Sequence, residues 1–140
     1  MRFFVVLTIV FLNLFCSPTV RNNSPIDNTC KNFLLSLYNE SYNKALSSMD
    51  NLFIDAVDKP ELDSNLRFIS VKLRNDYEAG IKVSLISYEK TIHEGLPATF
   101  LIYKIESRSK FGYYFFYIND QTEKILLVSE FSRIKDKRIF

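Results

Sequence analysis

The chain has little of what most site chemistries require. Its 140 residues include one histidine, His93, two cysteines, Cys16 and Cys30, and three glycines. Metal sites draw on Cys and His paired at short spacings, and no such pair is present, so the sequence predicts neither a metal site nor a cofactor. Gly80, Gly95 and Gly112 stand far apart, and a phosphate-cradling loop needs them clustered. A surplus of one charge is missing too. With 18 Lys and Arg against 16 Asp and Glu, the chain lacks the basic footprint of a nucleic-acid binder. Internal repeats and low-complexity segments are also absent.

No apolar run is long enough to span a bilayer comfortably, which takes about 20 residues. Phe3 to Phe15, broken by Thr8 and Asn13 and preceded by Arg2, instead has the charge and length of an export signal. Ordinary signal cleavage favours small residues at the last and third-last positions, and Leu14-Phe15-Cys16-Ser17 offers no such pattern. Leu12-Asn13-Leu14-Phe15-Cys16 resembles a bacterial lipobox, with Phe15 standing where that motif usually carries a small residue. The resemblance implies that residues 1–15 are removed and that Cys16 carries the lipid. The expected location is then the bacterial cell envelope, as a periplasmic or outer-membrane lipoprotein, with secretion as the alternative. Residues 16–28, rich in Ser, Asn and Pro, read as a flexible tether.

What remains, residues 29–140, suffices for one domain with one core. Without its signal the chain keeps 17 basic and 16 acidic residues, because Arg2 is the only charge lost. The basic C-terminal stretch around Arg133 and Lys137 reads as a solvated terminus, with weak contact to anionic headgroups as the alternative. An acylated Cys16 leaves Cys30 as the sole thiol, expected as a small buried residue in the first helix. Sequon patterns at Asn22 and Asn39 would matter only in a eukaryotic secretory pathway.

From Thr29 to Ser48, apolar residues such as Phe33, Leu34, Leu37, Tyr38, Tyr42, Ala45 and Leu46 recur at spacings of three and four, predicting a helix. Leu52 to Val57 is a short apolar run compatible with a strand or a helical turn. Asp58-Lys59-Pro60-Glu61 is a helix start with a capping-box arrangement; the helix it opens carries Leu62, Leu66, Ile69 and Leu73 on one stripe and stops at Gly80. The period then becomes two. Strands are predicted over 81–92, 98–106, 111–118 and 124–131, with turns at Glu94-Gly95-Leu96-Pro97, Ser107 to Lys110 and Asn119 to Glu123.

Short turns allow only antiparallel neighbours, so the predicted fold is α+β: two N-terminal helices packed on a curved four-stranded antiparallel meander. The order of elements is similar to that of the nuclear transport factor 2-like and cystatin-like folds, and resembles the small exported bacterial members of the first group. It is carried by Phe33-Leu34-x-x-Leu37, Leu52-Phe53, the second helix ending at Gly80, and the strands Thr99 to Glu106, Gly112 to Asn119 and Ile125 to Phe131. Isomerases of that group place acids beside a tyrosine inside a cone. For this chain the resemblance implies Asp55, with Tyr103 or Tyr113 to Tyr117, as the only such pairing.

His93 beside Glu94 reads as an exposed turn residue, since a catalytic base needs a pocket and a positioned substrate. Binding has more to stand on. Tyr113, Phe115 and Tyr117 share one face of the third strand and Tyr114, Phe116 and Ile118 the other. One face is core, and the other presents rings that carry apolar area with a hydroxyl handle. Tyr88 and Tyr103 extend that patch if their strands are in register. The sequence therefore predicts a membrane-tethered, non-enzymatic domain. It binds a small apolar ligand or an envelope protein through Tyr103, Tyr113, Phe115 and Tyr117. An isomerase- or dehydratase-like enzyme and a structural spacer are the alternatives.

Overall fold

A computed structural model describes residues 24–131; the stretch expected to be an export signal, Cys16, most of the expected tether and the basic C-terminal stretch lie outside them. The described chain runs α1 (Pro25–Tyr38), α2 (Tyr42–Ser47), α3 (Asn51–Ala56), α4 (Lys59–Asp76), β1 (Lys82–His93), β2 (Leu96–Glu106), β3 (Phe111–Asn119) and β4 (Ile125–Phe131). None of these helices is long and apolar enough to cross a membrane.

The first helix begins earlier than the periodicity suggests. Ser24 caps it, its hydroxyl accepting from the Asp27 amide at 3.1 Å, and Pro25 takes the first helical turn, where its missing N–H is not needed. Pro25 to Asn28 therefore belong to the domain rather than to the tether.

The same helix also ends earlier, so the expected single helix over 29–48 is two. At Tyr38-Asn39-Glu40-Ser41 the Ser41 amide donates to the Ser36 carbonyl at 2.7 Å and the Glu40 amide to that of Leu37 at 3.1 Å. Glu40 lies between them at φ 57°. This is a Schellman stop with a glutamate in the left-handed position that glycine usually fills. The ambiguous run 52–57 is helical, started by Asp50, whose carboxylate accepts from the Leu52 amide at 3.0 Å. In α4 Asp58 holds the capping position without a side-chain bond to the helix, so the capping box is not made.

The four strands form one antiparallel meander in the order β1-β2-β3-β4. Glu94 and Gly95 join β1 to β2, both at positive φ (50° and 81°), the geometry of a two-residue type I′ hairpin. Pro97 is tolerated in a central strand because the ladder to β3 starts only at Ala98.

Alternation assigns the faces. Leu101, Tyr103 and Ile105 of β2, with Tyr114, Phe116 and Ile118 of β3, point toward Phe33, Leu34 and Leu37 of α1 and Leu62, Leu66 and Leu73 of α4. Phe33 meets Phe116 edge-on at 6.0 Å, and Tyr103 meets the same ring at 5.6 Å. Each such buried side chain contributes roughly 1.5–3 kcal/mol relative to exposure.

The linker between α2 and α3 is sewn to the start of β4: the Asp50 amide donates to the Ile125 carbonyl at 2.8 Å, and the Ile125 amide to that of Ser48 at 2.9 Å. Asp50 is almost fully buried and accepts further bonds from Asn119 at 3.1 Å and from Thr122. Burial pushes its pKa up, but the bonds from Thr122, Leu52 and Asn119 together outweigh it and hold the carboxyl below the usual range. This tie fixes α3 against the edge of the sheet.

Candidate functional site

The sheet face opposite the helices is built by the other half of the alternation. Phe100 pairs with Tyr117, Ile102 with Phe115, and Lys104 with Tyr113. None of these six belongs to the core or packs against it, and all are half-buried. They cover one another instead. Phe100 lies 5.0 Å from Tyr117 and 5.8 Å from Phe115. At one end Phe111 stands edge-on to Tyr113 at 5.9 Å, and the Lys104 ammonium sits 5.5 Å over the Phe111 ring. A hydrogen bond to Glu106 keeps Lys104 above its ordinary pKa, and Glu106, bonded by Lys104 and Lys82, is held below its own.

At the other end the aromatic stripe runs into a groove. His93 lies flat on Tyr117, with centroids 4.3 Å apart and planes 18° apart. From there an open cleft of about 500 Å³ extends between the hairpin turn, Phe53 of α3 with Val57 just after it, and Leu126 and Leu127 of β4. Leu127 pairs with Tyr117 on the outer face. Leu126 occupies the irregularity in the β3–β4 register, and such bulges redirect side chains at sheet edges. The volume lies within the range of small-molecule sites, about 300–1,000 Å³.

The sequence-predicted residues divide between the two faces. Tyr113, Phe115 and Tyr117 come together on the outer face. Tyr103 does not join them. It pairs with Tyr114 and is fully buried on the helix side, donating to the Asp27 carboxylate at 2.7 Å. Tyr88 pairs with Leu101, which places it on the helix side as well. The patch is extended by Phe100 and His93 in their stead.

Asp55 is exposed on α3 while Tyr103 is fully buried on the helix side, so the Asp55–Tyr103 pairing is not formed. An acid does meet Tyr103, but it is Asp27, which also binds Lys31 at 2.8 Å. Both Asp27 and Tyr103 are fully buried, and neither lines the groove. Burial, the neighbouring Cys30 and the Asp27 carboxylate push the Tyr103 hydroxyl far above the ordinary tyrosine range, which suits a structural hydrogen bond. Among the described residues, no cluster of three His, Cys, Asp or Glu is placed to hold a metal ion.

Sequence reasoning missed the α3 side of the groove because that wall exists only once Asp50 has been tied to β4. It missed His93 because two residues in a turn carry no sign of what they fold against. Compared with protein-family models, curated proteins and solved structures, the chain shows no significant match.

Proposed function

We propose that this is an exported, lipid-anchored, non-enzymatic binding module that takes a small apolar ligand on its outer sheet face, with the ligand body in the groove beside His93. One observation carries the reading: an aromatic stripe of Phe115, Phe100, Tyr117 and His93 opens into a cleft lined mainly by apolar side chains. Stacked rings supply wide contact at little loss of side-chain freedom.

Anchoring at Cys16, and with it location in the cell envelope, rests on the lipobox resemblance. One acyl chain holds a protein only marginally whereas two anchor it stably, and a diacylglyceryl cysteine supplies two. The nuclear transport factor 2-like or cystatin-like fold is our reading of the helices-then-meander order, supported by bulges at Leu85/Ser87 and Tyr117/Ile118 that bend a sheet.

Titration of the full-length protein with an apolar fluorescent dye such as N-phenylnaphthylamine tests the binding reading. Tyr117→Ser and Leu127→Arg each weaken uptake by about tenfold, the effect of losing a central anchor worth about 1.4 kcal/mol. Leu35→Ser, at an exposed position on α1, leaves uptake unchanged. Dye uptake indifferent to both groove variants contradicts the reading.

A further inference from the structure

We propose that the domain faces the lipid bilayer with the free edge of β1, presenting Ile86, Tyr88 and Ile92 to the membrane interface. The proposal rests on the membrane tether read above. Its own basis is where the chain enters the domain. Ser24, the first described residue, lines a small apolar slot of about 220 Å³ together with Leu85, Tyr88 and Leu101. Cys16 precedes Ser24 by eight residues, a span of at most about 28 Å even when fully extended. A lipid at Cys16 therefore holds whatever surrounds Ser24 within reach of the headgroups.

Large apolar side chains stand exposed on that edge, between the polar Ser87, Glu89 and Lys90. Ile92 is 74% exposed, Ile86 49% and Tyr88 44%. Tyr88, Lys90 and Ile92 alternate onto the helix side of the sheet, yet all three are exposed. Ile86 is the residue left without a partner by the β1 bulge. A tyrosine flanked by isoleucines suits the headgroup and acyl boundary, where an amphipathic ring and shallow apolar side chains are both accommodated. The one cation among them is engaged: Lys90 binds Asp120 at 2.9 Å and Thr99 at 2.8 Å. With that cation engaged and Glu89 exposed on the opposite face of the strand, the contact does not depend on anionic headgroups. The bulge disfavours the competing use of this edge, as a template for another strand.

The chain has no tryptophan, so a single introduced one reports its own surroundings. Full-length protein carrying its native anchor is reconstituted on phosphatidylethanolamine and phosphatidylglycerol vesicles containing brominated acyl chains, with Ile92→Trp, Phe68→Trp on α4 or Phe111→Trp on the outer face. All three positions are well exposed, and circular dichroism confirms folding. The expected result is several-fold stronger quenching of Ile92→Trp than of the other two. Vesicle-bound protein in which Ile92→Trp is quenched no more than Phe68→Trp or Phe111→Trp overturns the orientation and leaves the tether standing. Protein that does not stay with the vesicles removes the tether, and this proposal with it.

Discussion

His93 and Tyr117 stack face to face although they belong to β1 and β3, strands that are not neighbours in the sheet. The residue between them on this face is Ala98 of β2, fully buried, and a side chain that small leaves room for the rings to meet above it. The stack closes one end of the aromatic stripe and forms one wall of the groove. His93→Ala removes a ring pair worth about 0.5–1.5 kcal/mol. A double-mutant cycle with Tyr117→Ser, read by urea unfolding, should return a coupling of that size; additive effects would contradict the contact.

Gly112 sits under the Tyr77 ring, where an added Cβ would meet the hydroxyl oxygen at 2.7 Å. Tyr77 cannot easily withdraw. It is buried, and its backbone carbonyl is held by the Tyr38 hydroxyl at 2.9 Å. Gly112→Ala is expected to destabilise by about 1–3 kcal/mol through overpacking, and adding Tyr77→Phe, which removes the clashing atom, should recover a large part of it. Equal loss in the single and double variants, measured by chemical denaturation, would refute the close approach.

Acid should weaken the fold through two carboxylates. Asp50 is held below its ordinary pKa as described, and Asp120, raised by burial but lowered further by Thr99 and Lys90, is depressed too. A folded pKa below the unfolded value of about 3.9 contributes stability that is fully present above that value and is lost as pH falls through the folded one. Urea midpoints should therefore drop below about pH 4, and the Asp50→Asn/Asp120→Asn double variant should show a shallower drop. An unchanged slope would exclude these two groups as its source.

Cys30 is fully buried, and burial pushes its thiol up to about 12 against the lowering effect of its hydrogen bond with Tyr103, with Asp27 adding to the rise. A protonated, inaccessible thiol does not react. Native protein should resist a maleimide for hours and label once unfolded. One label per chain in denaturant means that Cys16 is blocked or removed, two mean that it is retained and free, and the intact mass separates the first two cases. Tyr103→Phe removes the donor to the Asp27 carboxylate and is expected to lower stability by about 1–3 kcal/mol, with earlier labelling of Cys30 along the urea series.

The strands were legible because alternation survives wherever one face is buried, and Glu94-Gly95 marks its own turn. The break in the first helix was not. The apolar spacing from Tyr38 through Tyr42 to Ala45 continues across it, and the stop uses Glu40 where glycine would have announced it. Ser24-Pro25-Ile26-Asp27 is a helix start written in the same residues as a tether. At the site, parity grouped Tyr113, Phe115 and Tyr117, but parity on one strand cannot say which face the helices cover. Tyr103 and Tyr88 fell on the other side for that reason. The groove is tertiary: Asp50, Asn119 and Thr122 join segments far apart in sequence, and no local pattern encodes their meeting.

Native mass spectrometry of the full-length protein taken from its own membranes reads the anchor and the ligand in one spectrum. The expected species is a chain beginning at Cys16 with added acyl mass, carrying an apolar passenger that is absent from the Tyr117→Ser/Leu127→Arg variant. A passenger retained by that variant, or wild-type protein with no passenger at all, would contradict the binding reading.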